Sequence, residues 1–170
     1  MRVGKRSDPF PGRPAITFPL AAWTVVVVGL SVFVWLRPHT HTVFGFYVDA
    51  GRNWTQGICS YERAGILTTQ GYRYSPTVTM LYALFGPLSD AVGGIVWRWL
   101  GVALLASGFA AACRTIYPHW TDSTPTDRQW LWFLLLPLCT ANLYNGQANL
   151  HMLGFMLLGV AAVRSERWNL

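Results

Sequence analysis

The sequence predicts an all-α protein, a bundle of four to five helices that crosses a membrane several times. Hydrophobic residues make up 52% of the chain and only 12% are Asp, Glu, Lys or Arg. Soluble domains carry about 25% charged residues, so this surface is composed for lipid. The apolar residues also gather in uncharged runs of 22 and 34 residues, the lengths that membrane-crossing helices need. Nine Trp and seven Tyr suit the headgroup level, where an amphipathic ring keeps one end apolar and the other wet.

Residues 1–14 combine Lys, Arg, Gly, Pro and Asp with little that is apolar. They cannot bury enough surface to fold alone, and are expected as a basic cytoplasmic tail. Residues 15–36 then run 22 positions without a charge. As a helix this segment is about 33 Å long, enough for a hydrocarbon core of ~30 Å. A signal peptide would have an apolar stretch of ~7–15 residues ending in small residues at a cleavage site, whereas Trp35-Leu36-Arg37-Pro38 follows here. Arg2, Lys5, Arg6 and Arg13 precede this first span, against Arg37 and Arg52 soon after it, which places the amino terminus inside.

Residues 37–75 are polar, contain Asp49 and Glu62, and form a 39-residue connection. A loop of that length is usually functional or disordered, and this one is expected outside the cytoplasm. After Pro76, apolar stretches run over 77–88, 93–113 and 130–163, so residues 76–170 are expected as a transmembrane bundle. The last stretch, at about 51 Å if straight, is too long for one crossing. Its central polar residues, Asn142, Tyr144, Asn145, Gly146, Gln147, Asn149 and His151, mark a turn between two helices. If residues 77–88 cross, alternation puts Arg164 and Arg167 outside. If they do not, Arg114, Arg128, Arg164 and Arg167 all become cytoplasmic, and charge counting prefers this second topology.

The net charge is +6, but the thirteen Lys and Arg are dispersed along the chain. A nucleic-acid reader would cluster them on one face, so membrane lipids and phosphate are the expected anionic partners. Cys59, Cys113 and Cys139 are far apart and have no C-x-x-C spacing, which implies neither a disulfide framework nor a zinc site. No Walker motif, H-E-x-x-H or G-x-S-x-G is present, so nothing suggests a soluble catalytic domain, and no cofactor or metal is expected.

The candidate functional residues lie mostly in the polar connection. Asp49 follows the aromatic patch Phe44-Gly45-Phe46-Tyr47, where desolvation can make a carboxylate a general base; the alternative is an ordinary solvated acid. Arg37, Arg52, Arg63 and Arg73 offer guanidinium groups that fork onto phosphate, or that simply anchor to lipid. Glu62-Arg63 is also a candidate local pair. His39 and His41 would share one face of a strand, but no third ligand is near. Asn53-Trp54-Thr55 is a sequon that matters only in a eukaryotic secretory lumen. Asn142, Gln147, Asn149 and Arg98 are polar groups at membrane depth, where polarity is costly and marks function or interhelical hydrogen bonding. Arg98 has Asp90 eight residues earlier as a candidate partner.

Four features in this order resemble the membrane proteins of glycosyltransferase family 87, in the GT-C superfamily. They are Asp49, Gly57 to Tyr61, Tyr72-Arg73-Tyr74-Ser75-Pro76 leading to Gly86-Pro87-Leu88, and Gly146-Gln147-Ala148-Asn149, with Trp97 also in register. The resemblance implies an inverting hexosyltransferase. Its donor would be a polyprenyl-phosphate-sugar, often mannose, and its acceptor a glycan or lipid hydroxyl outside the cytoplasm of a bacterial inner membrane. In that reading Asp49 is the catalytic base, and Arg52, Arg63, Tyr72, Arg73, Tyr74, Gln147 and Asn149 bind substrate. Such enzymes have more helices than this chain accommodates, so an amino-terminal fragment is expected. The alternative is a non-enzymatic membrane subunit or small transporter, although the repeat of interrupted helices that a transporter would show is not visible.

Overall fold

The structure, a computed structural model, describes residues 18–40, 42–58, 75–116 and 125–166. These residues form six α-helices and no strand: α1 Phe18–Leu36, α2 Phe44–Thr55, α3 Pro76–Ala83, α4 Asp90–Ile116, α5 Pro125–Asn145 and α6 Asn149–Arg164. The all-helical expectation holds throughout them.

Two helices, α1 with 19 residues and α4 with 27, are long and apolar enough to cross a membrane. At 1.5 Å per residue they measure about 28 and 40 Å, while α5 and α6 measure about 31 and 24 Å. α3 has eight residues, or about 12 Å, and cannot cross a core of ~30 Å. It begins at Pro76, whose fixed φ suits the first helical turn, and ends in the turn over residues 84–87. The 77–88 stretch is therefore about two helical turns followed by a bend.

Residues 37–75, read from sequence as a loop, contain α2. Its buried residues include Phe44, Tyr47, Val48 and Gly51, spaced at i, i+3, i+4 and i+7 as one face of an amphipathic helix. That face packs on α3 and the start of α4. There Phe44, Tyr47, Val48, Tyr82, Phe85 and Trp97 form a buried aromatic cluster, with Tyr82 4.7 Å from both Tyr47 and Trp97 between ring centres.

Pairwise contacts fix the directions of the long helices. Phe18 meets Trp130 and Phe133 at ring-centre distances of 5.3 Å, and Phe33 meets Tyr144 at 5.4 Å, so α1 and α5 run parallel. Trp99 donates to Ser31 Oγ at 3.2 Å, and α4 runs back against α1. Trp97 stacks on His151 at 3.6 Å, and Gly154 lies against the Leu104 backbone, where an added Cβ would come within 2.6 Å. α4 and α6 therefore run parallel in backbone contact, which small residues permit. The described residues traverse the bundle four times. The end of α1, all of α2 and α3, the start of α4 and the α5–α6 turn share one end, while Phe18 and Arg164 lie at the other.

Candidate functional site

α2 carries Asp49 and Arg52 beside its buried face. Asp49 leaves 65% of its side chain exposed, and Arg52 Nη1 donates to its Oδ1 at 2.9 Å. The remaining Arg52 donors reach across the molecule. Nε bonds the Gly86 carbonyl at 3.2 Å, and Nη2 bonds the Leu88 carbonyl at 2.9 Å and Asp90 Oδ1 at 2.8 Å. Burial pulls the Arg52 pKa down, but the hydrogen bonds and charges of Asp90 and Asp49 outweigh it and hold the group above its ordinary value. Arg52 thus spans two carboxylates and two carbonyls of the Gly86-Pro87-Leu88 turn. Its donors serve the protein's own acceptors, a different use from the phosphate contact expected of it.

Asp90 is the member of this cluster that sequence reasoning did not place. It opens α4, where a carboxylate complements the helix dipole, and is 20% exposed in its side chain. Its Oδ2 faces His39 Nδ1 at 3.5 Å. The expected pairing of Asp90 with Arg98 is not found. Arg98, only 3% exposed, instead donates to the carbonyls of Leu143 at 2.7 Å, Tyr144 at 2.9 Å and Gly94 at 2.9 Å, and more weakly to Thr42 Oγ1 at 3.4 Å. Of the His39–His41 pair, His39 lies in the turn after α1 and His41 is outside the described residues, and no metal-binding group of His, Cys, Asp or Glu occurs among those described.

The second half of the site is the α5–α6 turn. Gly146, at φ +63, ends α5 as Gly146 N–H bonds the Leu143 carbonyl and Gln147 N–H the Asn142 carbonyl, a left-handed helix stop that favours glycine. Trp97 Nε1 donates to the Gly146 carbonyl at 3.1 Å. Asn149 Nδ2 donates to Asn142 Oδ1 at 2.8 Å and to Gln147 Oε1 at 2.9 Å, so these amides bridge the two helices, and no side chain caps α6. Val43 N–H donates to the Asn145 carbonyl at 2.9 Å, which ties the start of α2 to this turn.

The structure therefore gathers Asp49, Arg52, Gln147 and Asn149 at one end of the bundle. Arg63, Tyr72, Arg73 and Tyr74 lie outside the described residues, as do Cys59, Tyr61, Glu62 and His119. Cys113 and Cys139 are free thiols inside helices. Nothing local in the sequence pairs Asp90 with Arg52 or His39, because these contacts join residues 38 and 51 positions apart. The one hint is the acidic residue at the head of α4.

A model of glycosyltransferase family 87 matches residues 72–170, more than half of the chain. The match takes in Asp90, Trp97 and the Gly146–Asn149 turn and begins after α2. Neither a curated protein nor a solved structure gives a significant match.

Proposed function

Since the chain belongs to glycosyltransferase family 87, and is on that ground a membrane glycosyltransferase, we propose that it transfers a hexose, mannose foremost, from a polyprenyl-phosphate-sugar to a hydroxyl of a glycan or lipid acceptor, outside the cytoplasm of a bacterial inner membrane. We take α1, α4, α5 and α6 as the crossings. The end holding Phe18 and Arg164 also holds Arg114 and Arg128, and Arg2, Lys5, Arg6 and Arg13 precede Phe18 in the sequence, so the positive-inside tendency makes it cytoplasmic. The Asp49 end is then the outer one.

In this reading Asp49 accepts the proton of the acceptor hydroxyl as that oxygen attacks the anomeric carbon. The polyprenyl phosphate leaves from the opposite face and the anomeric configuration inverts. Arg52, engaged with both carboxylates, is a positioning residue that fixes the orientation of the Asp49 carboxylate. The departing phosphate falls to Arg63 and Arg73, and the sugar to Tyr72, Tyr74, Gln147 and Asn149. The observation that supports this assignment best is an exposed carboxylate, fixed by one arginine, at the same end of the bundle as the exposed amide cluster.

Transfer of labelled sugar from a polyprenyl-phosphate donor, in membranes containing wild type or Asp49→Asn, tests it. General-base catalysis contributes about 10²–10⁴-fold, and a loss in that range is expected. Equal transfer by the two proteins removes Asp49 from the mechanism.

A further inference from the structure

We propose that the cleft between α1, α4 and α5, at the opposite end from Asp49, binds one anionic phospholipid, with an acyl chain in the cleft and the phosphate on Arg128. The cleft has a volume of about 550 Å³ and is lined mainly by apolar side chains, among them Leu20, Trp23, Ala106 and Trp132, with Arg128 and Gln129 as its polar members. That volume lies within the ~300–1,000 Å³ of small-ligand sites. Leu20 is 58% exposed, so the cleft opens at the side of the bundle, where a lipid arrives.

The walls suit a hydrocarbon chain. Trp23 spends its one donor on the Trp132 carbonyl at 2.9 Å, so its indole offers the cleft only carbon. Water gains little in such a space, since a bound water needs two to four polar partners. The edge calls for an anion. Arg128 is half-buried, and no carboxylate among the described residues pairs with it. A guanidinium fork matches phosphate oxygens and can hold two of them at once.

The level is also right for a headgroup. Phe18, Trp130 and Phe133 form an aromatic cluster at this end, with ring centres 5.3 to 5.8 Å apart, as expected of rings at the headgroup boundary. Arg114 and Arg164 lie at the same end, which favours a negatively charged lipid over a zwitterionic one. A soluble anion would satisfy Arg128 and leave the apolar cleft empty. A phospholipid satisfies both and bridges α1 to α4 and α5.

The test uses the full chain purified in neutral detergent, native mass spectrometry, and thermal unfolding with phosphatidylglycerol or phosphatidylcholine added. Wild type is expected to retain one phospholipid of net negative charge and to unfold several degrees higher with phosphatidylglycerol than with phosphatidylcholine. Arg128→Gln is expected to reduce the preference for phosphatidylglycerol about fivefold or more. Ala106→Phe, which fills the cleft, is expected to abolish retention of either lipid. The proposal fails if wild type retains no phospholipid, if Arg128→Gln keeps the full preference, or if the cleft instead holds a polyprenyl lipid, detergent, the chain's own amino-terminal residues or a second copy. Should Ala106→Phe not fold, the wild-type retention and the Arg128→Gln preference decide alone.

Discussion

Arg52 and Arg98 do the same physical work at two places, each clamping backbone carbonyls at a helix end or in a turn. Arg98 takes the last carbonyls of α5, where a cation also complements the helix dipole. Arg52 takes those of the turn before α4 and adds two carboxylates. Lysine supplies a point charge in place of the planar fork. Arg52→Lys is accordingly expected to lose about 1–3 kcal/mol of stability through unsatisfied partly buried acceptors. In the transfer assay it should lower kcat while leaving the donor KM near wild type, because Asp49 loses its fixed partner. A raised donor KM with an unchanged melting temperature would instead make Arg52 a phosphate ligand. The residue types in this cluster were legible, since Asp49 and Arg52 stand three apart in one segment. Asp90 was not, because an ion pair over 38 residues leaves no periodic trace in a sequence.

At the scale of elements, α2 turns on one small residue. A Cβ at Gly51 would come within 2.6 Å of Ala83 N and 2.7 Å of the Tyr82 carbonyl carbon, so α2 and α3 meet backbone to backbone. Gly51→Ala must push them apart, at about 1–3 kcal/mol for overpacking. It is expected to lower the melting temperature and to open residues 37–58 to limited proteolysis. Gly45, in the same helix, has no atom within 4 Å of where its Cβ would stand. Gly45→Ala should be neutral or stabilise by up to ~1 kcal/mol through helix propensity, and the contrast separates packing from propensity. Equal melting temperatures for the two variants would remove the backbone contact as the reason for glycine at 51. α2 itself was hidden by composition: the polar content of residues 37–75 outweighed an apolar face of four residues. The α5–α6 turn was readable because Asn, Gly and Gln interrupt an otherwise apolar run.

For the molecule as a whole, topology depends on whether residues 77–88 cross. Sequence reasoning left two arrangements open, because a 12-residue apolar stretch is ambiguous in length and the basic residues at stake lie far downstream. α3 is too short to cross, and the parallel pairs α1 with α5 and α4 with α6 require four traverses. That arrangement makes a labelling pattern the alternative cannot reproduce. In a chain with Cys59, Cys113 and Cys139 replaced by Ala, single cysteines at Gln56, Gln147 and Ser165 report three successive boundaries. A membrane-impermeant maleimide applied to intact cells is expected to label Gln56→Cys and Gln147→Cys, and to reach Ser165→Cys only after permeabilisation. Were residues 77–88 a crossing, Gln147→Cys and Ser165→Cys would exchange behaviour while Gln56→Cys stayed accessible. The amide cluster would then face the cytoplasm, on the opposite side of the membrane from Asp49, and the two halves of the proposed site could not act on one sugar.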